Sequence, residues 1–267
     1  MRVMGAGDYT AAMRAVTGQC GRYVFTLLVM LVGTSGMAWA ACDDPPQRQV
    51  NWRGCDKQGQ DLRGLDLEGA VLIRTNLAGA DLSGARLTGA DLSFANLSDA
   101  RAEEVRMAGA RLLGANLQGV RLRGAVLDGV AADRADLSGA KLIGTRLHKA
   151  SFYQTNLQEA DLSDADLADA DLKQASLTRA VMNGASLARA VLDGANLEYA
   201  VLTRANLERA RLHRARLAHA DLRDANLTRA SLVDADLFET VFTGARLSGA
   251  TWVDRRRCLL DAITHCR

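Results

Sequence analysis

From Leu62 to Trp252 an apolar residue recurs at every fifth position without a slip. Of these 39 positions 32 are Leu, and the others are Ala102, Met107, Ala132, Phe152, Met182, Phe242 and Trp252. Two residues earlier, 30 of 39 positions are Ala, so the unit reads Ala-x-Leu-x-x. A helix cannot use this period: five residues at about 100° each advance the face by roughly 140°, and the leucines would spiral around it. A strand uses half of it. Ala and Leu lie two apart and share a face, but an odd period throws the next Leu to the other side. All leucines stay inside only if the chain turns once per repeat. Four near-right-angle turns close a square coil of about 20 residues, and stacked coils pair their backbones roughly 4.8 Å apart. The pattern therefore predicts an all-β solenoid of about ten coils and roughly 45–50 Å.

Units such as Ala80-Asp81-Leu82-Ser83-Gly84 and Ala225-Asn226-Leu227-Thr228-Arg229 resemble the pentapeptide-repeat family. The resemblance covers about residues 50–252, and 39 in-phase matches make it specific. It implies a right-handed quadrilateral β-helix with Leu filling the centre and Ala at a tight inner corner. Trp52 and Lys57 also fall in phase. A lysine is not an ordinary interior residue, so regular coils are expected from Gln60.

The residue before Leu is often Asp or Asn, as at Asp61, Asp66, Asn76, Asp81, Asp91, Asn96 and Asn116. Such side chains hydrogen-bond nearby backbone and favour turns, which is a better reading than an acidic binding surface. Arg takes the same position at Arg86, Arg111, Arg121, Arg146, Arg211 and Arg216, diluting any acidic face.

The segment before the repeats reads as a leader. Arg14 and Arg22 precede an apolar run from Tyr23 to Val32, then Ala38-Trp39-Ala40 gives a small-x-small cleavage site. Residues 1–40 are thus expected to be a signal peptide, with Met1, Met4 and Met13 all open as starts. Two alternatives stay open: Tyr23–Ala41 as a retained anchor, and lipidation at Cys42. The chain touches a membrane only in those two cases. Cysteine usage agrees with export to a periplasmic or secreted setting. Cys42 and Cys55 sit in an N-terminal cap (41–59), and Cys258 and Cys266 in a C-terminal one (253–267). Three pairings are open; proximity favours Cys42–Cys55 and Cys258–Cys266. Asp254 is expected to N-cap a short helix over Arg255–Thr264, with Leu259, Leu260 and Ile263 turned inward.

Hydrophobic residues make up 48% of the chain but aromatics only 4%, so Ala and Leu dominate the core. Net charge is +2, and falls to zero once residues 1–40 are set aside. The best-known members of the resembled family imitate DNA and protect DNA gyrase in the cytoplasm. That alternative needs a strongly acidic rod, about one charge per 1.7 Å. The four faces, starting at Leu62, Leu67, Leu72 and Leu77, carry −1, +2, +1 and −4. Nucleic-acid mimicry is thus disfavoured, and no nucleic-acid partner is expected.

Charge is nonetheless patchy. Asp161, Asp164, Asp166, Asp169 and Asp171 form an acidic band. Arg204, Arg209, Arg211, Arg214 and Arg216, with His213 and His219, form a basic one about two coils later. Complementary bands fit docking to a protein partner or a second copy; salt bridges between neighbouring coils are the plainer account. No Ser/His/Asp order, paired Cys/His set or phosphate loop stands out. The expectation is a non-enzymatic, cofactor-free scaffold with an unidentified protein partner.

Overall fold

The computed structural model describes residues 42–259 and Cys266. The expected leader at 1–40, and residues 260–264 of the expected helix, lie outside the described residues.

From Asn51 onward, the residue before each central apolar position forms a parallel bridge with the residue 20 later. Asn51 pairs with Val71, Asp56 with Asn76, Asp61 with Asp81, Asp66 with Arg86, and so on to Ser231 with Thr251. Four bridge columns divide each coil into four sides. The repeat Ala90–Phe94 shows why the pattern closes. The Ala90 N–H returns to the Leu87 carbonyl across the turn at 3.0 Å. The Asp91 N–H donates back one coil to Ala70 O, while those of Leu92 and Phe94 donate forward to Arg111 O and Leu113 O. The fifth N–H, of Ser93, goes to the Asp91 side chain at 3.0 Å. All five donors are satisfied within five residues of chain, as burial of a backbone demands.

The central residues from Leu62 to Leu232 are all buried, with the intervening Ala positions lining the inner corner. Thr replaces Ala at Thr75, Thr145 and Thr155 and is fully buried there. The Thr75 and Thr155 hydroxyls donate to a carbonyl of the previous coil, Trp52 O and Ala132 O, while that of Thr145 donates to Leu142 O at 2.6 Å with Leu122 O of the previous coil at 3.1 Å. The polar atom is thereby paired, which removes most of its burial cost.

The corner residue two after each centre has positive φ in every repeat from Gly54 to Gly249. With a bond such as Ala95 N to Leu92 O, this is the φ signature of a type II turn. Glycine serves many corners, but from Lys149 to Glu239 most are charged or aromatic side chains held at φ between 53° and 60°.

At the N-terminal end the regular pattern begins about ten residues earlier than expected. Lys57 does occupy the interior column, only 8% exposed. Its ammonium donates to Cys42 O at 2.6 Å and lies 4.2 Å over the Trp52 ring. A cation is accommodated here because the first coil has no coil before it, and the cap supplies a carbonyl and an aromatic face. Trp52 is buried, with Nε1 donating to Asp44 O.

At the other end the expected helix is corrected: Arg255–Leu259 are not helical. Arg255 has φ 69°, and Asp254 Oδ1 accepts the Arg256 N–H at 3.1 Å. That is the turn chemistry of the repeats, applied once more in place of a helix N-cap. The chain then doubles back: Trp252 N–H donates to Arg256 O, Thr251 bridges Arg257 antiparallel, and Cys258 N–H reaches Ala250 O. Leu259 faces outward, 62% exposed, not inward. Trp252 is half-buried and packs on Phe242, ring centroids 5.5 Å apart.

Candidate interaction surface

Each repeat presents three positions outward: the residue before the centre and the two turn residues after it. Every Asp or Asn in the first of these, from Asn51 to Asp236, accepts at Oδ1 the N–H of the residue two further on. These side chains are spent on the turns. On the Leu77 face they also bond along the rod: Asn76 to Asp56, Asn96 to Asn76, Asn116 to Asn96 and Asn156 to Asp136, at 2.9 to 3.1 Å.

The acidic band is largely engaged by its own neighbours. Asp161 accepts the Ser163 hydroxyl, Asp166 the Ala168 N–H, and Asp171 the Lys173 ammonium at 2.9 Å. Asp169 is gripped by both arms of Arg189 at 2.7 and 2.6 Å and touched by His148 at 3.2 Å. The Arg189 hydrogen bond, with its charge and the His148 contact added, holds the Asp169 carboxyl at a pKa of about 2. Asp164 leans over Gly184. In the basic band, Arg211 pairs with Asp193, Arg216 with Glu198, and Arg209 with Glu208 at 3.7 Å. Among the described residues, Arg204 and Arg214 have no side-chain partner. The structure does not bring the two bands together; Arg189, Asp193 and Glu198 stand between them and take up the pairing.

A further cluster lies at a corner of the C-terminal half. Arg179, Tyr199, His219 and Glu239 stand 20 residues apart and so share one corner. Tyr199 and His219 stack at 4.7 Å with planes 9° apart, and Phe238 meets His219 edge-on at 5.5 Å. Arg179 lies 5.7 Å over Tyr199, and His219 Nδ1 reaches Glu239 at 3.0 Å. Tyr199 and Phe238 remain 49% and 62% exposed. The signal was available at spacing 20, the coil period.

His213 Nε2 contacts Ser231 Oγ at 2.7 Å. Nucleophile activation also needs a carboxylate to orient the imidazole, and among the described residues none pairs with His213 Nδ1. No group of three or more His, Cys, Asp or Glu suited to a metal occurs among the described residues. No helix among them is long and apolar enough to cross a membrane. The four cysteines among the described residues are joined as Cys42–Cys55, Cα atoms 5.4 Å apart, and Cys258–Cys266, 4.8 Å apart.

A four-sided coil with one buried Leu, one inner Ala and one left-handed corner per five residues defines a class of all-β solenoid. The chain belongs to the pentapeptide-repeat family: the profile named Pentapeptide repeats matches eight copies over residues 53–89, 90–129, 133–169, 165–198, 190–229 and 215–251. Among solved structures it is similar to HetL, a pentapeptide-repeat protein involved in heterocyst differentiation regulation from the cyanobacterium Nostoc. Identity is 30%, covering 79% of this chain and 92% of HetL, with TM-score 0.71. Rfr23 from the cyanobacterium Cyanothece is 25% identical over 43% of this chain and 89% of its own, with TM-score 0.36. QnrB1, a plasmid-mediated fluoroquinolone resistance protein, is 16% identical over 68% and 89%, with TM-score 0.36. No curated protein sequence matches the chain.

Proposed function

We propose that this chain is an exported, non-enzymatic rod, a right-handed coil of about ten turns, that binds a protein partner through its C-terminal half. The aromatic ridge of Tyr199, His219 and Phe238 carries the reading. Exposed aromatic side chains flanked by arginine are the composition of binding hot spots, and here a rigid backbone already holds them in place. Rigidity lowers the ordering cost of association. Export is supported by the cystines, one at each end of the rod, since such bonds persist in oxidising compartments. The near-neutral charge gives no support to DNA imitation.

The test uses the full chain expressed in a Gram-negative host. Fractionation should place it in the periplasm with all four mature cysteines blocked to alkylation. A pull-down from periplasmic extract should retain a protein that the Tyr199→Ala/Phe238→Ala variant loses. A cytoplasmic protein with free thiols would sink the export reading, and a partner retained equally by the variant would sink the ridge.

A further inference from the structure

The corner residues on the Leu72 face form a row at 20-residue spacing: Arg134, Gln154, Gln174, Gly194, Arg214 and Asp234. Corner side chains recline onto the next coil. Phe94 lies on Gly114, Asp99 on Gly119, Asp164 on Gly184 and Arg229 on Gly249. Where every corner has a side chain the row is a continuous ridge, and Arg134 bonds to Gln154 and Gln154 to Gln174. Gly194 interrupts it. The missing side chain opens a furrow of about 560 Å³, walled by Gln174, His213, Arg214 and Asp234 and ending on Arg255. That volume lies within the roughly 300–1,000 Å³ of small-molecule sites.

The furrow has spare donors and few spare acceptors. Asp193 on its floor is used up: Oδ2 pairs with Arg211 and Oδ1 accepts the His213 N–H. Asp234 faces Arg255 at 3.9 Å, which roughly cancels that pair. The Arg214 guanidinium is left without a partner among the described residues, on the same furrow wall that Gln174 helps to form. Guanidinium presents a planar fork matched to two oxygens of one group.

We propose that the Gly194 furrow is a binding site for a compact oxyanion, a carboxylate or phosphate group, with Arg214 as its principal anchor. This goes beyond the partner reading and does not depend on it, since the furrow lies on a different face from the aromatic ridge.

The experiment titrates the full-length protein with succinate and, separately, inorganic phosphate at constant ionic strength, following the Gly194 and His213 amide resonances. Saturable millimolar shifts are expected with at least one anion, and which one binds more tightly names the group. Arg214→Gln should weaken binding at least tenfold. Gly194→Gln should abolish it by filling the furrow, while folding normally, because Gln154 and Gln174 already hold the same left-handed corner. Arg204→Gln, which removes another unpaired corner cation outside the furrow, should change nothing. Shifts that never saturate, or an equal loss in Arg204→Gln, would overturn the site and leave only diffuse surface charge.

Discussion

Lys57 Nζ donates to the carbonyl oxygen of Cys42 at 2.6 Å, and Cys42 is held there by its bond to Cys55. The cystine thus positions the one acceptor that an almost buried ammonium has at the end of the apolar column. Cys42→Ser/Cys55→Ser should lower stability by about 2–4 kcal/mol, the usual range for a short loop closed by a disulfide. Adding Lys57→Met should recover part of that loss, because the stranded charge is gone. Denaturant unfolding of the four variants checks this; a Lys57→Met effect unchanged by the cystine would deny the coupling.

The uneven legibility of the chain has physical causes. The Leu and Ala columns were readable because one residue type satisfies one environment 20 residues after 20. Lys57 enters the interior column against expectation because periodicity says nothing of what replaces the missing coil at an end. The helix expected after Asp254 failed for a related reason: Asp254 and Arg256 repeat the two-residue turn of the interior, and a capping residue is the same residue type as a turn acceptor. The corner positions carry no fixed type, so the aromatic ridge and the Gly194 furrow emerge only when residues are compared one coil apart.

The corners give the next prediction. Gly79 and Gly114 have almost the same φ, 63° and 61°. An added Cβ at Gly79 meets nothing within 4 Å, whereas at Gly114 it falls 2.8 Å from the Phe94 ring. Gly79→Ala should therefore cost only the left-handed backbone penalty, about 1–2 kcal/mol. Gly114→Ala should cost distinctly more, and Phe94→Ala should bring it back to the Gly79 value. Thermal or denaturant melts of the three variants decide it. Equal costs at both glycines would mean that Phe94 swings away freely.

The Leu77 face allows the turn chemistry to be measured. Asn96 accepts the Ser98 N–H at 3.2 Å, donates to Asn76 and accepts from Asn116. Val occupies the equivalent position at Val126, Val181 and Val191, so Asn96→Val leaves the backbone course intact. It removes three partly buried hydrogen bonds, each worth about 0.5–1.5 kcal/mol. The variant should lose about 2–3 kcal/mol of stability on that basis, with faster amide exchange at Ser98. Exchange unchanged at Ser98 would show that water replaces the side chain at no cost.

Acid should act through a few gripped carboxylates. Asp169 is held at about 2 by Arg189, Asp61 at about 2 by Arg63, and Asp81 at about 2 by Ser83 and Arg101. In the unfolded chain an Asp titrates near 3.9. A depressed folded value means that each pair contributes stability above about pH 4, and that this contribution fades as pH falls through about 2. These groups lie near the surface, so each contribution is small and screened by salt. Carboxyl-carbon NMR titration should find Asp169 well below the ordinary range in the parent. In Arg189→Gln it should move upward toward the ordinary value, while Asp61 and Asp81 stay put. The remaining depression should come from His148, whose contact at 3.2 Å survives the substitution. An Asp169 that titrates normally in the parent would mean that the Arg189 fork does not persist in solution, and Arg189 would then join Arg204 and Arg214 as a cation free to meet a partner.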